Sequence, residues 1–243
     1  MDHTDQQHGR PDLARQQGPH GAHGQHGAAG TDVDPEHWFS QEFWDERYSG
    51  EPVWSGQPNP LLVRYASDLD PGTALDVGSG EGADVMWLAT RGWTVTGADI
   101  SPVALRRSAG LAERSGHDIA ARITWQQADL LRWQPPERRF DLVSAQFIHL
   151  PGPERESFHR RLAAAVRPGG TLLVVSHHPA DMDTAAAYRP QLPGMYPTGE
   201  EMAAVLGPSE WAIETGDPQR QATFPDGETY TIRDAVLRAV RRR

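Results

Sequence analysis

The stretch Leu75-Asp76-Val77-Gly78-Ser79-Gly80-Glu81-Gly82, followed by Ala98-Asp99-Ile100-Ser101, has the residue types and spacing that can do chemistry. It reads as a buried strand, a glycine turn, a helix, a second strand, and an acid at that strand's tip. Glycines let a backbone approach a ligand where any Cβ would collide, and they accept φ > 0 in the turn. The helix that follows aims free N–H groups and the positive end of its dipole at an anionic group. A carboxylate about twenty residues on can accept both hydrogen bonds of a ribose diol. The combination is a nucleotide grip.

The glycines alone are ambiguous. Gly78, Gly80 and Ala83 fit the G-x-G-x-x-G/A dinucleotide pattern, while Gly78, Gly80 and Gly82 fit G-x-G-x-G. Asp76 tips the balance, because it lies inside the first strand's end, two residues before the first glycine. A dinucleotide needs room and positive potential there for its pyrophosphate. A carboxylate better suits a cationic ligand, and S-adenosylmethionine carries a sulfonium and an ammonium group. With Asp99, Gln127-Ala128-Asp129-Leu130 and Arg167-Pro168-Gly169-Gly170, the motif resembles the class I S-adenosylmethionine-dependent methyltransferases over roughly residues 38 to 243.

That resemblance implies a Rossmann-like α/β fold. The sheet would be mostly parallel and seven-stranded, closed by a C-terminal antiparallel hairpin, with helices on both faces. It also implies roles. Asp76 and the backbone of Gly78, Ser79 and Gly80 would line the methionine end of the cofactor. Asp99 would take the ribose hydroxyls and Ile100 would pack on the adenine face. Asp129 would accept from the adenine amino group, with Leu130 as a neighbouring backbone donor, and Gln146 and Phe147 would lie beneath the sulfonium. The plain alternative for each is an ordinary loop acid or glycine.

Methyl transfer from a sulfonium is an in-line displacement on an activated carbon, so the protein's task is mainly positioning and exclusion of water. A general base is needed only where the acceptor is protonated. His149, after the fourth strand, is the leading base candidate, set against a surface or capping histidine. Tyr48 is a second candidate. His177 and His178 end the fifth strand, where ligand crevices open, and neighbours on a strand point opposite ways. Arg189, beside Tyr188 in a Pro-rich segment, could bind an anionic acceptor. The segment Pro52 to Asn59 looks like the aromatic flap of the thiopurine and tellurite-resistance methyltransferases. By that likeness Trp54 would cover the sulfonium by cation–π attraction, while Phe39 and Phe43 would staple the flap to the core.

These groups need positioning elements. Asn59-Pro60 reads as a helix start. Strands are expected at Thr73–Val77, Trp93–Ala98, Ile123–Gln127, Phe140–Ala145 and Thr171–Ser176. Ser101-Pro102 caps a helix whose inward stripe is Leu105, Ala109 and Ala112, and a helix over 154–166 buries Phe158, Leu162 and Val166. Thr198-Gly199-Glu200-Glu201 is a capping box. Pro225-Asp226-Gly227 is a turn between two extended runs, although Thr229 to Val240 has a helical propensity as well.

Composition bounds the rest. The 243 residues suit one α/β domain over 36–243, with an aromatic flap at 36–58. Residues 1–35 are Gly- and His-rich without apolar periodicity, which predicts disorder. Their run His20, His23, His26 could chelate a metal weakly, but a solvated leader is the preferred reading, and no metal is assigned to the enzyme. A net charge of −10 disfavours nucleic acid as a partner, and there are no cysteines for disulfides or thiol catalysis. No apolar run approaches a membrane span, so a cytoplasmic enzyme acting on a small molecule or small inorganic acceptor is expected. The S, Se/Te, N and O nucleophiles all stay open. Two alternatives are a nicotinamide-dependent oxidoreductase and a non-enzymatic metal-handling or sensor protein.

Overall fold

The computed structural model describes residues 35–185, 194–224 and 226–243. Residues 1–34 of the expected leader lie outside them, as do Tyr188, Arg189 and Pro225. The described chain begins with three helices, α1 (Pro35–Trp38), α2 (Gln41–Ser49) and α3 (Pro60–Ala66). Alternating units follow: β1 (Thr73–Val77), α4 (Ala83–Thr90), β2 (Thr94–Asp99), α5 (Pro102–Ser115), α6 (His117–Ala120), β3 (Ile123–Gln127), β4 (Phe140–Gln146), α7 (Gly152–Ala165) and β5 (Val166–His177). A 3-10 turn at Pro179–Asp181 leads into α8 (Met182–Ala185). Then come α9 (Gly199–Ala203), β6 (Trp211–Gly216), β7 (Gln219–Thr223) and β8 (Thr229–Arg241).

The strands run in the order β3-β2-β1-β4-β5-β8-β6, a seven-strand path, with β7 paired to β8 off it. β1 to β5 are mutually parallel, and β8 is antiparallel to β5, β6 and β7. Alternation along the central strands sorts side chains to two faces. Leu75, Val143, Leu172 and Val174 pack with Phe158 and Leu162 of α7 on one face. Ala74, Leu142, Leu173 and Val175 pack with Leu62 of α3 and Val85 and Leu88 of α4 on the other. Both faces are covered, as a parallel sheet requires.

The local signals act where the sequence places them. Asn59 Oδ1 accepts from Leu61 N–H at 2.8 Å, Ser101 Oγ accepts from Ala104 N–H at 3.2 Å, and Thr198 and Glu201 close their capping box. Two details differ. The inward face of α5 carries Ser108 rather than Ala109, because the Ser108 hydroxyl is needed against the glycine loop. The run from Thr229 is a 13-residue strand. β8 is held on both edges and buries Ala235, Val236, Leu237 and Ala239, so tertiary pairing overrides its helical propensity. Among the described residues no helix is long and apolar enough to cross a membrane.

Candidate active site

A cavity of about 910 Å³ opens at the carboxyl ends of β1, β2, β4 and β5, roofed by the segment before α3. Ligand crevices form at this end of parallel sheets because successive loops diverge there. One end of the cavity is built on the glycine loop, and the other on the residues after β4, the end of β5 and the β7–β8 hairpin.

The loop is held by its neighbours. Gly78 and Gly80 have φ of 70° and 49°, a region that glycine enters without steric cost. A Cβ at Gly78 would run into Ile148 Cδ1, and one at Gly80 would sit 2.9 Å from Tyr48 Oη. Gly78 and Ser79 donate to Ala98 O at 2.8 and 3.0 Å. Asp99 receives Gly80 N–H on Oδ2 at 2.8 Å and Ser101 N–H on Oδ1 at 2.9 Å. The Ser108 hydroxyl lies 3.0 Å from Gly80 O. Asp99 is thus a buckle between loop and α5, and each of its oxygens keeps a second lone pair for a ligand hydroxyl.

Three acids line this end, Asp76 and Asp99 buried and Asp84 half-buried. Burial pushes the Asp76 carboxyl well up, reinforced by the charges of Asp84 and Asp99 and tempered by the Ser144 hydroxyl. Asp84 is raised by burial to about 6. Asp99 is also raised by burial, against the pull of its backbone donors. Such a cluster favours a cation.

Two further acids-to-backbone links fasten the flap. Glu81 Oε2 accepts from Val53 and Trp54 N–H, both at 3.0 Å, while Glu81 Oε1 pairs with Arg107 at 2.5 Å. Asp84 Oδ1 accepts from Asn59 N–H at 2.6 Å. Trp54 then lies over the loop, its Nε1 donating to Tyr48 Oη at 3.1 Å. Glu81 and Asp84 were not among the sequence candidates. The available signal was two acids inside a glycine-rich turn and the first turn of its helix, where apolar or small residues would serve packing alone.

At the opposite end the walls are aromatic. Phe147 has φ of 58°, a strained state for a bulky residue that concentrates at functional sites. Its ring meets His177 at 4.6 Å. His149 stacks on His177 at 4.7 Å and 16°, and Tyr196 meets both, 4.9 Å from His149 and 6.2 Å from His177. His149 Nε2 accepts from the His177 backbone N–H at 3.3 Å. Asp234 is buried and clamped by Arg220 through Nε at 2.6 Å and Nη2 at 3.2 Å. Arg220 also lies over the Phe147 ring.

The cavity wall brings together Tyr48, Trp54, Asp76, Gly78, Ser79, Gly80, Asp99, Ile100, Asp129, Leu130, Gln146, Phe147, His149 and His177. His178 is outside it. His178 Nδ1 accepts from Ala180 N–H at 3.0 Å, capping the 3-10 turn, and its Nε2 lies 3.5 Å from Asp217. The alternation of β5 turns it away as it turns His177 in. Tyr48 sits against Gly80 and Trp54, and burial beside Asp99 and Glu81 raises its phenol further, which opposes a role as base. Asp129 is exposed and accepts from Leu131 N–H at 3.0 Å. Arg189 lies outside the described residues.

A family model described as a methyltransferase domain matches residues 74–170. The chain is 30% identical over 152 residues to thiopurine S-methyltransferase of Vibrio cholerae, covering 56% of this chain and 69% of that one. The chain belongs to the class I S-adenosylmethionine-dependent methyltransferases. It is also 28% identical over 199 residues to the 2-heptyl-1-hydroxyquinolin-4(1H)-one methyltransferase of Mycobacteroides abscessus, covering 77% of this chain and 84% of that one. The fold matches the N-methyltransferase NodS of Bradyrhizobium japonicum, solved with S-adenosyl-L-homocysteine. There the TM-score is 0.61 at 19% identity, over 83% of this chain and 97% of that one. These matches set aside the nicotinamide-dependent and non-enzymatic alternatives. The enzyme is a small-molecule methyltransferase and S-adenosylmethionine is its cofactor.

The cavity of this methyltransferase fits that cofactor on its own terms. Buried Ser79 Oγ and Gln146 Oε1 lie on the wall without a hydrogen-bond partner among the described residues, and a buried polar atom of this kind calls for one. The three acids suit a cation, and the glycine loop presents backbone to the cavity.

Proposed function

We propose that this methyltransferase acts on the ionisable oxygen or sulfur of a flat aromatic heterocycle. The aromatic box of Phe147, His149, His177 and Tyr196 carries this reading. Its rings offer faces to a planar acceptor, whereas an inorganic oxyanion gains little from aromatic walls. The quinolinone and the thiopurine in the relatives' names are flat nitrogen heterocycles, which supports the same class. A volume of about 910 Å³ has room for cofactor and acceptor together.

Bound S-adenosylmethionine supplies a methyl carbon activated by its sulfonium. The chain's residues do the rest. Asp76 and Asp84 counter the cationic end, and Asp99 and Asp129 offer acceptors for ribose and adenine. Leu130 and Ile100 flank the base, while Gln146 and Phe147 floor the reacting centre. Trp54, fastened by Glu81, excludes water from above. The reading keeps a cytoplasmic enzyme acting on a diffusible molecule rather than on nucleic acid, in line with the net charge of −10. It also keeps the expected division into a leader over 1–35 and a methyltransferase domain over 36–243.

A labelled-methyl screen over aromatic hydroxyls and thiols, amines, selenite and tellurite tests it. Fastest transfer to a flat aromatic hydroxyl or thiol is expected. Transfer confined to inorganic or aliphatic acceptors contradicts it.

A further inference from the structure

His177, at the end of β5, and Asp234, inside β8, are register partners on antiparallel strands. His177 Nδ1 lies 3.9 Å from Asp234 Oδ1. The carboxylate does not swing freely, because Arg220 grips it at both oxygens from β7. The imidazole also packs against two rings, stacked on His149 and tilted against Phe147. At 3.9 Å the pair is longer than a hydrogen bond, and the carboxylate's charge favours the tautomer with a proton on the near nitrogen, Nδ1, leaving basicity at Nε2. On His149 the Nε2 lone pair accepts the His177 backbone N–H, so taking a proton there breaks a structural hydrogen bond.

We propose that His177 is the general base of this methyltransferase, with Asp234 orienting its ring and Arg220 positioning Asp234; this rests on the aromatic-acceptor reading above. The acceptor's X–H bond breaks, its proton passes to His177 Nε2 and its electron pair stays on X. X bonds to the methyl carbon as the carbon–sulfur electron pair returns to sulfur, leaving a neutral thioether. His177 then gives its proton to solvent. Asp234 and Arg220 act through His177 and are positioning residues. The site therefore accepts hydroxyls that are protonated near neutral pH, as well as preformed thiolates.

Two acceptors of one shape separate this from a packing role. Slightly below neutral pH 4-nitrophenol is largely protonated, whereas 4-nitrothiophenol is already ionised. His177→Gln is expected to lower kcat/KM for the phenol about 100-fold or more beyond its loss for the thiolate, the range of general-base catalysis, while the thiolate's own loss reports only the ring removed from the aromatic box. Equal losses on both acceptors overturn the base. Failure of the unaltered enzyme to methylate either acceptor overturns the aromatic-acceptor reading and the base with it.

A readout without turnover uses the yellow phenolate band. 4-Nitrophenol bound to the S-adenosylhomocysteine-loaded enzyme is expected to show more phenolate than free dye at the same pH, and to lose that excess in His177→Gln. Retention of the excess in the variant contradicts the proposal. Among the described residues, the groups around His177 are His149 after β4, Tyr196 before α9, Asp234 on β8 and Arg220 on β7. The pairs His178–Asp217 and Asp181–Arg233 lie just outside. Asp234→Asn is expected to move the rising limb of the pH–rate profile to lower pH, since a neutral amide no longer supports the imidazolium. An unmoved limb with a lower rate assigns Asp234 to structure alone.

Discussion

The two ends of the cavity are built in different ways. At the cofactor end the chain uses backbone and contiguous sequence: a glycine turn, the acid at the tip of β2 and two acids that hook the flap. At the acceptor end it uses side chains from the loop after β4, the end of β5 and both strands of the C-terminal hairpin. The first end is a set of fixed dipoles and charges that any member binding the same cofactor must reproduce. The second is a wall of exchangeable rings with one clamped carboxylate behind it. Cofactor recognition and acceptor chemistry are thus separable, and substitutions should divide along the same line.

The largest effect is expected at Asp76. Asp76→Asn removes a buried charge that burial and the neighbouring acids disfavour, so the free protein should melt higher. Affinity for S-adenosylhomocysteine should fall by about 100-fold, as the cationic amino end loses a charged partner. The two changes have opposite signs, and a fall in both melting temperature and affinity would place Asp76 in packing. Asp99→Ala comes next, weakening the same ligand by about 2–3 kcal/mol as the ribose hydroxyls lose a charged acceptor. It should also cost about 1–2 kcal/mol of stability by releasing the Gly80 and Ser101 N–H groups. Denaturant unfolding and calorimetry check the pair.

Trp54→Ala should lower turnover by about tenfold, through water entry and lost alignment. Trp54 is 38% exposed, so stability should change by less than the about 3–5 kcal/mol of a core aromatic truncation. A stability loss of that size would make it scaffold. The smallest effect is a pH dependence. Asp84 holds its proton to about pH 6 in the fold, against an ordinary 3.8. The folded state therefore binds a proton more tightly than the unfolded chain, and the resulting stabilisation is lost as pH rises from about 4 to about 6. Asp84→Asn keeps an acceptor for Asn59 N–H. Its melting temperature should match the unaltered protein below pH 4 and exceed it above pH 6, as thermal scans of the free protein would show.

The same division explains what was legible in the sequence. Asp76, Gly78, Gly80 and Asp99 lie within one βαβ unit, where spacing along the chain fixes spacing in space. The five parallel strands and the caps at Asn59, Ser101 and Thr198 could be read because each is a local signal. The acceptor end could not be assembled this way. Asp234 stands 57 positions from His177, and only the antiparallel register of β8 joins them. Arg220 reaches Asp234 across the hairpin, where alternate side chains share a face. Phe147 is a bulky residue at positive φ, a state that propensity argues against. His149 leads on sequence because it follows β4, where substrates enter in this fold. The backbone N–H that occupies its Nε2 belongs to a residue 28 positions away.

Titration of S-adenosylhomocysteine by calorimetry into the unaltered enzyme, Asp99→Ala and His177→Gln tests the separation of the two ends most directly. The account predicts that His177→Gln binds within about threefold of the unaltered protein, because truncating a side chain outside the cofactor end removes none of its hydrogen bonds. Asp99→Ala is predicted to bind about 30- to 150-fold more weakly, the equivalent of about 2–3 kcal/mol. Comparable losses in both variants would contradict it, showing that cofactor and acceptor share one coupled site.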